Sequence, residues 1–376
     1  MVEFDIINNS VSRIIKESYE FTISFSYASN NYVRVHSHSK ENLSDSLVRL
    51  APYFNTEQNS IRNTRFQNKF YNIYLLEADN HFVLFNTLQN LFTHDLNKIL
   101  GHAGNTVEQL RFYSVFKFGA FNLFENQEKN TYFIQFDNIV ILISNDVSFL
   151  SLESRRIIKD VILSRDAEAN NSLIYHCSCA SFSNDGIVIV GEKGSGKTTT
   201  LLKLLSEGGS FVTSDRGYLN VNDFCIRGWP EPLNVSTTVL ELFGYPILSN
   251  DSIKSNGKIS IPYTNLAKRL KINLSCSSLI STFVFPVVNL TQKTVLRKAS
   301  EDECRYMLLK NCLTPNDFEH PHWMDIVPID CNLIYKKLPT LVDSIIKQIP
   351  CFILSIGYDF TANYSLVKNL VNNHAF

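Results

Sequence analysis

The sequence predicts an α/β domain over residues 166–376, preceded by an α+β domain over residues 1–165. Three observations point there. In GIVIVGEKGSGKTTTLLKLLSEGG (186–209) a short apolar run meets a glycine-rich loop and then a helix-like stretch. Beyond it, apolar runs alternate with helix-like segments. Before it lie several short apolar segments with no comparable loop between them.

The N-terminal half reads as strands at FTISFSYA (21–28), YNIYLL (71–76), HFVLFNTL (81–88), TYFIQF (131–136) and NIVILIS (138–144). SLESRRIIKDVILSR (151–165) places Leu152, Ile157, Ile158, Val161 and Ile162 at near-helical spacing. The short polar tract DAEANNS (166–172) is the expected domain boundary. No catalytic constellation stands out in this half, so recognition of a substrate is its expected job. In the second half, LISTFVFPVV (279–288) and PCFILSIGYD (350–359) read as strands. SEDECRYMLLKNCL (300–313) and LPTLVDSIIKQI (338–349) read as helices.

Composition narrows the function. Of 376 residues, 44% are hydrophobic and 19% charged, which describes a globular chain long enough for two cores. Lys plus Arg (35) nearly cancels Asp plus Glu (36), so no global basic field recommends nucleic acid as a partner. MVEFDIINNS lacks the start of a secretory signal, and no apolar run is long enough to span a bilayer. The eight cysteines show no paired spacing, which fits a reduced cytoplasmic setting. His176, Cys177 and Cys179 crowd together, but three neighbouring residues do not supply a four-ligand zinc cage. Nothing in the sequence fixes the oligomeric state, and a homo-oligomer is compatible with it.

The loop Gly191-Glu192-Lys193-Gly194-Ser195-Gly196-Lys197-Thr198 matches G-x-x-x-x-G-K-[ST]. Its glycines let the backbone curl so that successive N–H groups point at one anion. The helix opening at the loop adds free N–H groups and the positive end of its dipole. Lys197 supplies a full charge to the outer phosphates, the Thr198 hydroxyl is placed for Mg²⁺, and Thr199 continues the cradle. With glycine at about 7% of residues, a chance match arises in roughly one chain per hundred of this size. The flanking sequence therefore decides. GIVIV suits a buried strand, and TTTLLKLLSEGG suits a helix burying Leu201, Leu204 and Leu205 and stopping at Gly208-Gly209. The next strand, SFVTSD (210–215), is expected to end on Asp215, where a carboxylate can meet the metal; a solvated or capping aspartate is the plainer alternative.

Residues 176–215, HCSCASFSNDGIVIVGEKGSGKTTTLLKLLSEGGSFVTSD, resemble the core of the HPr kinase/phosphorylase family and the wider set of HPr-kinase-like ATP-dependent kinases. The shared features are a His opening a strand, a hairpin, the P-loop, a helix ending in Gly, and a following strand with acidic residues. IRGWPEPLNV (226–235), GKISIP (257–262), FVFP (283–286) and CFILSIGYD (351–359) are similar to later stretches of the broader group. The resemblance implies the mixed-sheet P-loop fold shared with phosphoenolpyruvate carboxykinase. It also implies transfer of the γ-phosphoryl of ATP, with Mg²⁺, to a hydroxyl on a peptide, a protein or a small molecule.

By the same resemblance, Gly191 to Thr199 cradle the phosphates, Thr198 and Asp215 hold the metal, and His176 lies near the transferred group. Arg227 and Lys258 are candidates for charge stabilisation. Plainer roles stand beside these: a satisfied strand-end histidine for His176, a bridge from Arg227 to Asp223 or Glu231, a solvated charge for Lys258. Two departures are visible. The family has adjacent aspartates, a proton acceptor and then a metal ligand, where this chain has Ser214-Asp215. The carboxylate before Arg-Gly in the bifunctional enzymes is replaced by the neighbourhood of Cys225. A base contributes about 10²–10⁴-fold, so transfer without it is slowed rather than forbidden. The alternative is a module that binds ATP without transfer and regulates a partner.

Overall fold

The structure, a computed structural model, describes residues 2–27, 31–43, 50, 55–58, 70–94, 114–118, 120–126, 130–155, 157–158, 171–229, 231–249, 251, 253–314, 331–360, 366 and 369–370. These fall into two compact units, one before residue 166 and one from residue 171 onward. The tract 166–170, the end of the expected helix (159–165) and Pro230 lie outside the described residues.

The first unit contains α1 (Val2–Lys16), β1 (Phe21–Tyr27), β2 (Asn31–Ser37), β3 (Asn55–Gln58), β4 (Phe70–Glu77), α2 (Phe82–His94), β5 (Ser114–Phe118), β6 (Phe121–Asn126), β7 (Thr131–Phe136) and β8 (Ile139–Ser144). Its strands form one mixed sheet in the order β3-β1-β2-β4-β8-β7-β6-β5, parallel at β2–β4 and β4–β8. Every residue of β8 is buried, as a strand covered on both faces requires.

The expectation of a strand at HFVLFNTL is wrong: residues 82–94 form α2. Leu84, Phe85 and Leu88 are buried while Phe82 and Val83 are each 64% exposed. That is the one-sided stripe of a helix, not the alternation of a strand; a short apolar run does not separate the two by itself.

The second unit contains β9 (Ser172–Phe182), β10 (Asp185–Val190), α3 (Lys197–Ser206), β11 (Ser210–Thr213), β12 (Arg216–Asn220), β13 (Cys225–Gly228), β14 (Leu233–Ser236), α4 (Thr237–Leu242), β15 (Lys258–Ile261), α5 (Tyr263–Leu270), β16 (Ser277–Val288), β17 (Val295–Lys298), α6 (Glu301–Lys310), α7 (Cys331–Gln348) and β18 (Cys351–Ile356). The main sheet runs β10-β9-β12-β13-β16-β18-β17, with β11 beside β9 and a parallel β10–β16 pairing; β14 and β15 form a separate ribbon. β9 and β10 turn through Ser183 and Asn184, both at positive φ (50° and 80°), as a two-residue hairpin of the right twist demands.

The buried strands sort their side chains between two helical layers. Ile187 and Ile189 of β10 pack with Leu201, Leu204 and Leu205 of α3 and Leu266 and Leu270 of α5. Val188 and Val190 point the other way, toward Cys304 and Leu308 of α6 and Val342 and Ile345 of α7. This α/β/α stack leaves the loop after β10 at the carboxyl ends of the parallel strands β10, β16 and β18, where α/β sheets bind ligands.

Candidate phosphate-binding site

The loop begins where β10 ends and closes on the first turn of α3. Gly194 and Gly196 adopt φ of 86° and 100°, a left-handed region open to glycine. A Cβ on Gly191 would lie 2.6 Å from Ser195 Oγ, and one on Gly196 would lie 2.5 Å from Ile356 Cδ1. The isoleucine tip can move, so the left-handed backbone is the larger cost at 196. Gly196→Ala is expected to destabilise the protein by about 1–3 kcal/mol in denaturant unfolding; wild-type stability would show that the loop is not held in this form.

α3 starts with no side-chain cap: Gly196 is its N-cap, so its first N–H groups face the loop. It ends in a Schellman pattern, Gly208 N–H to Leu205 O and Gly209 N–H to Leu204 O, both 3.1 Å, with Gly208 at φ 96°. The buried Lys197 donates from Nζ to the carbonyls of Gly191 (2.6 Å) and Glu192 (2.9 Å). Its charge therefore sits within the loop's curl. Ser195 Oγ is buried without a hydrogen-bond partner. Thr198 and Thr199 are half-buried on the first turn of the helix, while Glu192 and Lys193 are exposed on the rim.

A second feature is a pair that the fold brings together from β9 and the β11–β12 turn. His176 Nε2 lies 3.5 Å from Asp215 Oδ1. The turn is fixed by main-chain bonds from Cys177 N to Asp215 O (3.1 Å) and by Ser178 Oγ donating to Ser214 O (2.8 Å). Thr213 Oγ1 donates to Arg216 O across it. β11 stops at Thr213, so Asp215 stands in the turn and not on the strand as expected. Strand alternation sends Cys177 and Cys179 into the core while His176 takes the opposite face. Among the described residues no cluster of three or more His, Cys, Asp or Glu could hold a metal ion.

Burial works to raise the Asp215 carboxyl. The His176 hydrogen bond and the charges of Arg216, His176 and Lys197 outweigh it and bring the pKa down to about 2. The sign follows directly: a depressed carboxylate contributes stability that is present above the ordinary aspartate value of about 3.9 and is lost as pH falls toward 2. The Asp215 side chain is 43% exposed, so the charge is open to a ligand. It is expected to stay ionised from about pH 5 to 8. A step in Mg²⁺ affinity within that range that Asp215→Asn removes would contradict this.

Arg216 was not singled out from sequence, although its place directly after Asp215 was a sign. It is buried, sits opposite His176 in register, and lies 5.8 Å over the Trp229 ring. Arg227 lies on β13 opposite Tyr218 and Ser277. Asp223, one of its suggested partners, caps the turn by accepting from the N–H of Cys225 (2.9 Å). Lys258 stands on the β14–β15 ribbon opposite Ser236, not on the sheet that carries His176. Ser214 Oγ is buried with no hydrogen-bond partner.

The residues present fit a nucleotide and a magnesium ion: an orphaned hydroxyl and crowded glycines line the curl, with one lysine inside it. One hydroxyl (Thr198) and one carboxylate (Asp215) match the few protein ligands that Mg²⁺ takes when phosphates and water complete its shell. No helix among the described residues is long and apolar enough to cross a membrane.

A scan against protein-family models finds no match, and no curated protein matches by sequence. Among solved structures, the HPr(Ser) kinase/phosphatase from Coxiella burnetii is similar over 54% of this chain and 89% of its own, at 14% identity and a TM-score of 0.26.

Proposed function

We propose that the chain is an ATP- and Mg²⁺-dependent phosphotransferase that moves the γ-phosphoryl group to a hydroxyl, on a peptide, a protein or a small metabolite. The observation that carries the reading is the His176–Asp215 pair, 3.5 Å apart, set close enough to Lys197 that the lysine's charge acts on Asp215. A phosphate-binding loop alone argues only for occupancy; an ionised acid and an imidazole beside it give the bound phosphate something to do. The strand–loop–helix unit from β10 to α3 fits the P-loop arrangement of the HPr-kinase-like enzymes that residues 176–215 resemble.

In this reading the main-chain N–H groups from Gly191 to Thr199 hold the phosphates. Lys197 exchanges its two carbonyl partners for phosphate oxygens and neutralises the charge that builds on the leaving diphosphate. Thr198 and Asp215 hold Mg²⁺, which supplies neutralisation of the phosphate oxygens when bound. His176 takes the acceptor's proton, and Asp215 steadies the imidazolium that results. Arg227 and Lys258 serve as flanking cations, and the N-terminal unit recognises the acceptor.

The test is Mg²⁺-dependent transfer of label from γ-labelled ATP to a panel of hydroxyl acceptors, with His176→Ala lowering the rate by about 10²–10⁴-fold. One feature favours a second reading. Ser214 stands where the resembled family has an acid, and its hydroxyl is unpaired. ATP bound tightly with no label on any acceptor would make the chain a nucleotide-binding module.

A further inference from the structure

We propose that Lys310 is a second phosphate-reading lysine of this site, facing the terminal phosphoryl group of a bound nucleoside triphosphate and held meanwhile by Glu192. The proposal rests on the nucleotide reading above and adds a residue to it.

Two lysines, one from the loop's own helix and one from α6, bind one loop residue. Lys197 Nζ donates to the main-chain oxygen of Glu192 at 2.9 Å, and Lys310 Nζ lies 3.0 Å from its Oε1. Lys310 is the last residue of α6, where the helix dipole alone favours a cation. What sets it apart is where that helix end is fixed. The next residue, Asn311, accepts the main-chain N–H of His176 at 2.9 Å. Cys312 bridges to Tyr175, Leu313 N–H donates to Ile174 O (2.7 Å), and Thr314 Oγ1 accepts from Ile174 N–H (2.7 Å). Residues 311–314 thus extend the sheet along β9, and the end of α6 is stitched beside His176. The residue after Lys310 is thus tied through its main chain to that of His176, and the Lys310 amine itself to Glu192 of the loop.

The helix is braced at its other end as well. A Ser300–Glu303 capping box starts it, and Arg305 holds Asp343 of α7 at 2.7 Å. The amine is aimed by Tyr306, whose hydroxyl it meets at 2.9 Å and whose ring centroid lies 5.2 Å away. Glu192 is 63% exposed, so its pairing with Lys310 is an open ion pair of the kind that is readily exchanged. A terminal phosphate brings more charge and three acceptor oxygens, and it outcompetes a single carboxylate for the same amine. Glu192 therefore acts as a placeholder, and Lys310 as the group that tells a triphosphate from a diphosphate.

The experiment measures ATP and ADP affinity by calorimetry with Mg²⁺ on the full chain, with thermal melting as the fold check. Lys310→Met is expected to weaken ATP about tenfold and leave ADP within about twofold, while Lys310→Arg retains most of the ATP affinity. Glu192→Gln, which releases the amine, is expected to tighten ATP about twofold or more and not ADP. Equal losses for both nucleotides, or no change in either, in Lys310→Met overturn the role. A wild-type chain that binds neither nucleotide overturns the nucleotide reading, and this proposal with it.

Discussion

Lys197→Ala is expected to lower ATP affinity by at least about 10²-fold while lowering the melting temperature by only a few degrees. The amine makes two charge-assisted bonds inside the loop, 2.6 and 2.9 Å to the carbonyls of Gly191 and Glu192. With phosphate bound, those bonds go to anionic oxygens, where each contributes about 1.5–3 kcal/mol. Removing the amine leaves the buried Gly191 carbonyl without that partner, a cost of about 1–3 kcal/mol that lowers the melting temperature by a few degrees and leaves the fold intact. The helix behind is held by Leu201, Leu204 and Leu205, none of which touches the ligand side. Nucleotide titration together with thermal melting checks both halves. Wild-type affinity in this variant would remove the cradle from the account.

Asp215→Asn is the second large effect. It keeps the shape of the turn, whose bonds run through the main chain and Ser178. It removes a carboxylate that pairs with His176 and feels the charge of Lys197. Metal-free ATP binding should survive. The part of the affinity that depends on Mg²⁺ should be lost, and transfer should fall by at least about 10²-fold, since a bound metal supplies several kcal/mol of charge stabilisation. Measuring ATP affinity at several Mg²⁺ concentrations distinguishes this from general damage. An unchanged metal dependence would mean that Asp215 is only the partner that orients His176.

How much of this was legible in the sequence depends on how local each cause is. The loop, the α3 helix and its glycine stop are written in consecutive residues, so their spacing carried them. The strands of the first unit were partly legible, but their order was not: β2, β4 and β8 lie side by side through connections that no local pattern records. HFVLFNTL failed because four adjacent apolar residues fit either period, and only packing decides between them.

The site shows the same division. The resemblance points to His176 and Asp215, which the fold sets 3.5 Å apart, and it points to neither Arg216 nor the proposed Lys310. Lys310 reads locally as a charge ending a helix; its meaning comes from residues 311–314 pairing with β9, a contact between segments far apart in the chain. Arg227 and Lys258 rest on looser similarity, and the fold sets one on β13 and the other on a separate ribbon.

The most direct test of the central claim is equilibrium binding of ATP, ADP and AMP to the wild-type chain, with and without Mg²⁺. The account predicts one saturable site that prefers ATP, strengthens with Mg²⁺ and scarcely holds AMP. Saturable binding of AMP as tight as that of ATP, indifferent to Mg²⁺, would contradict it.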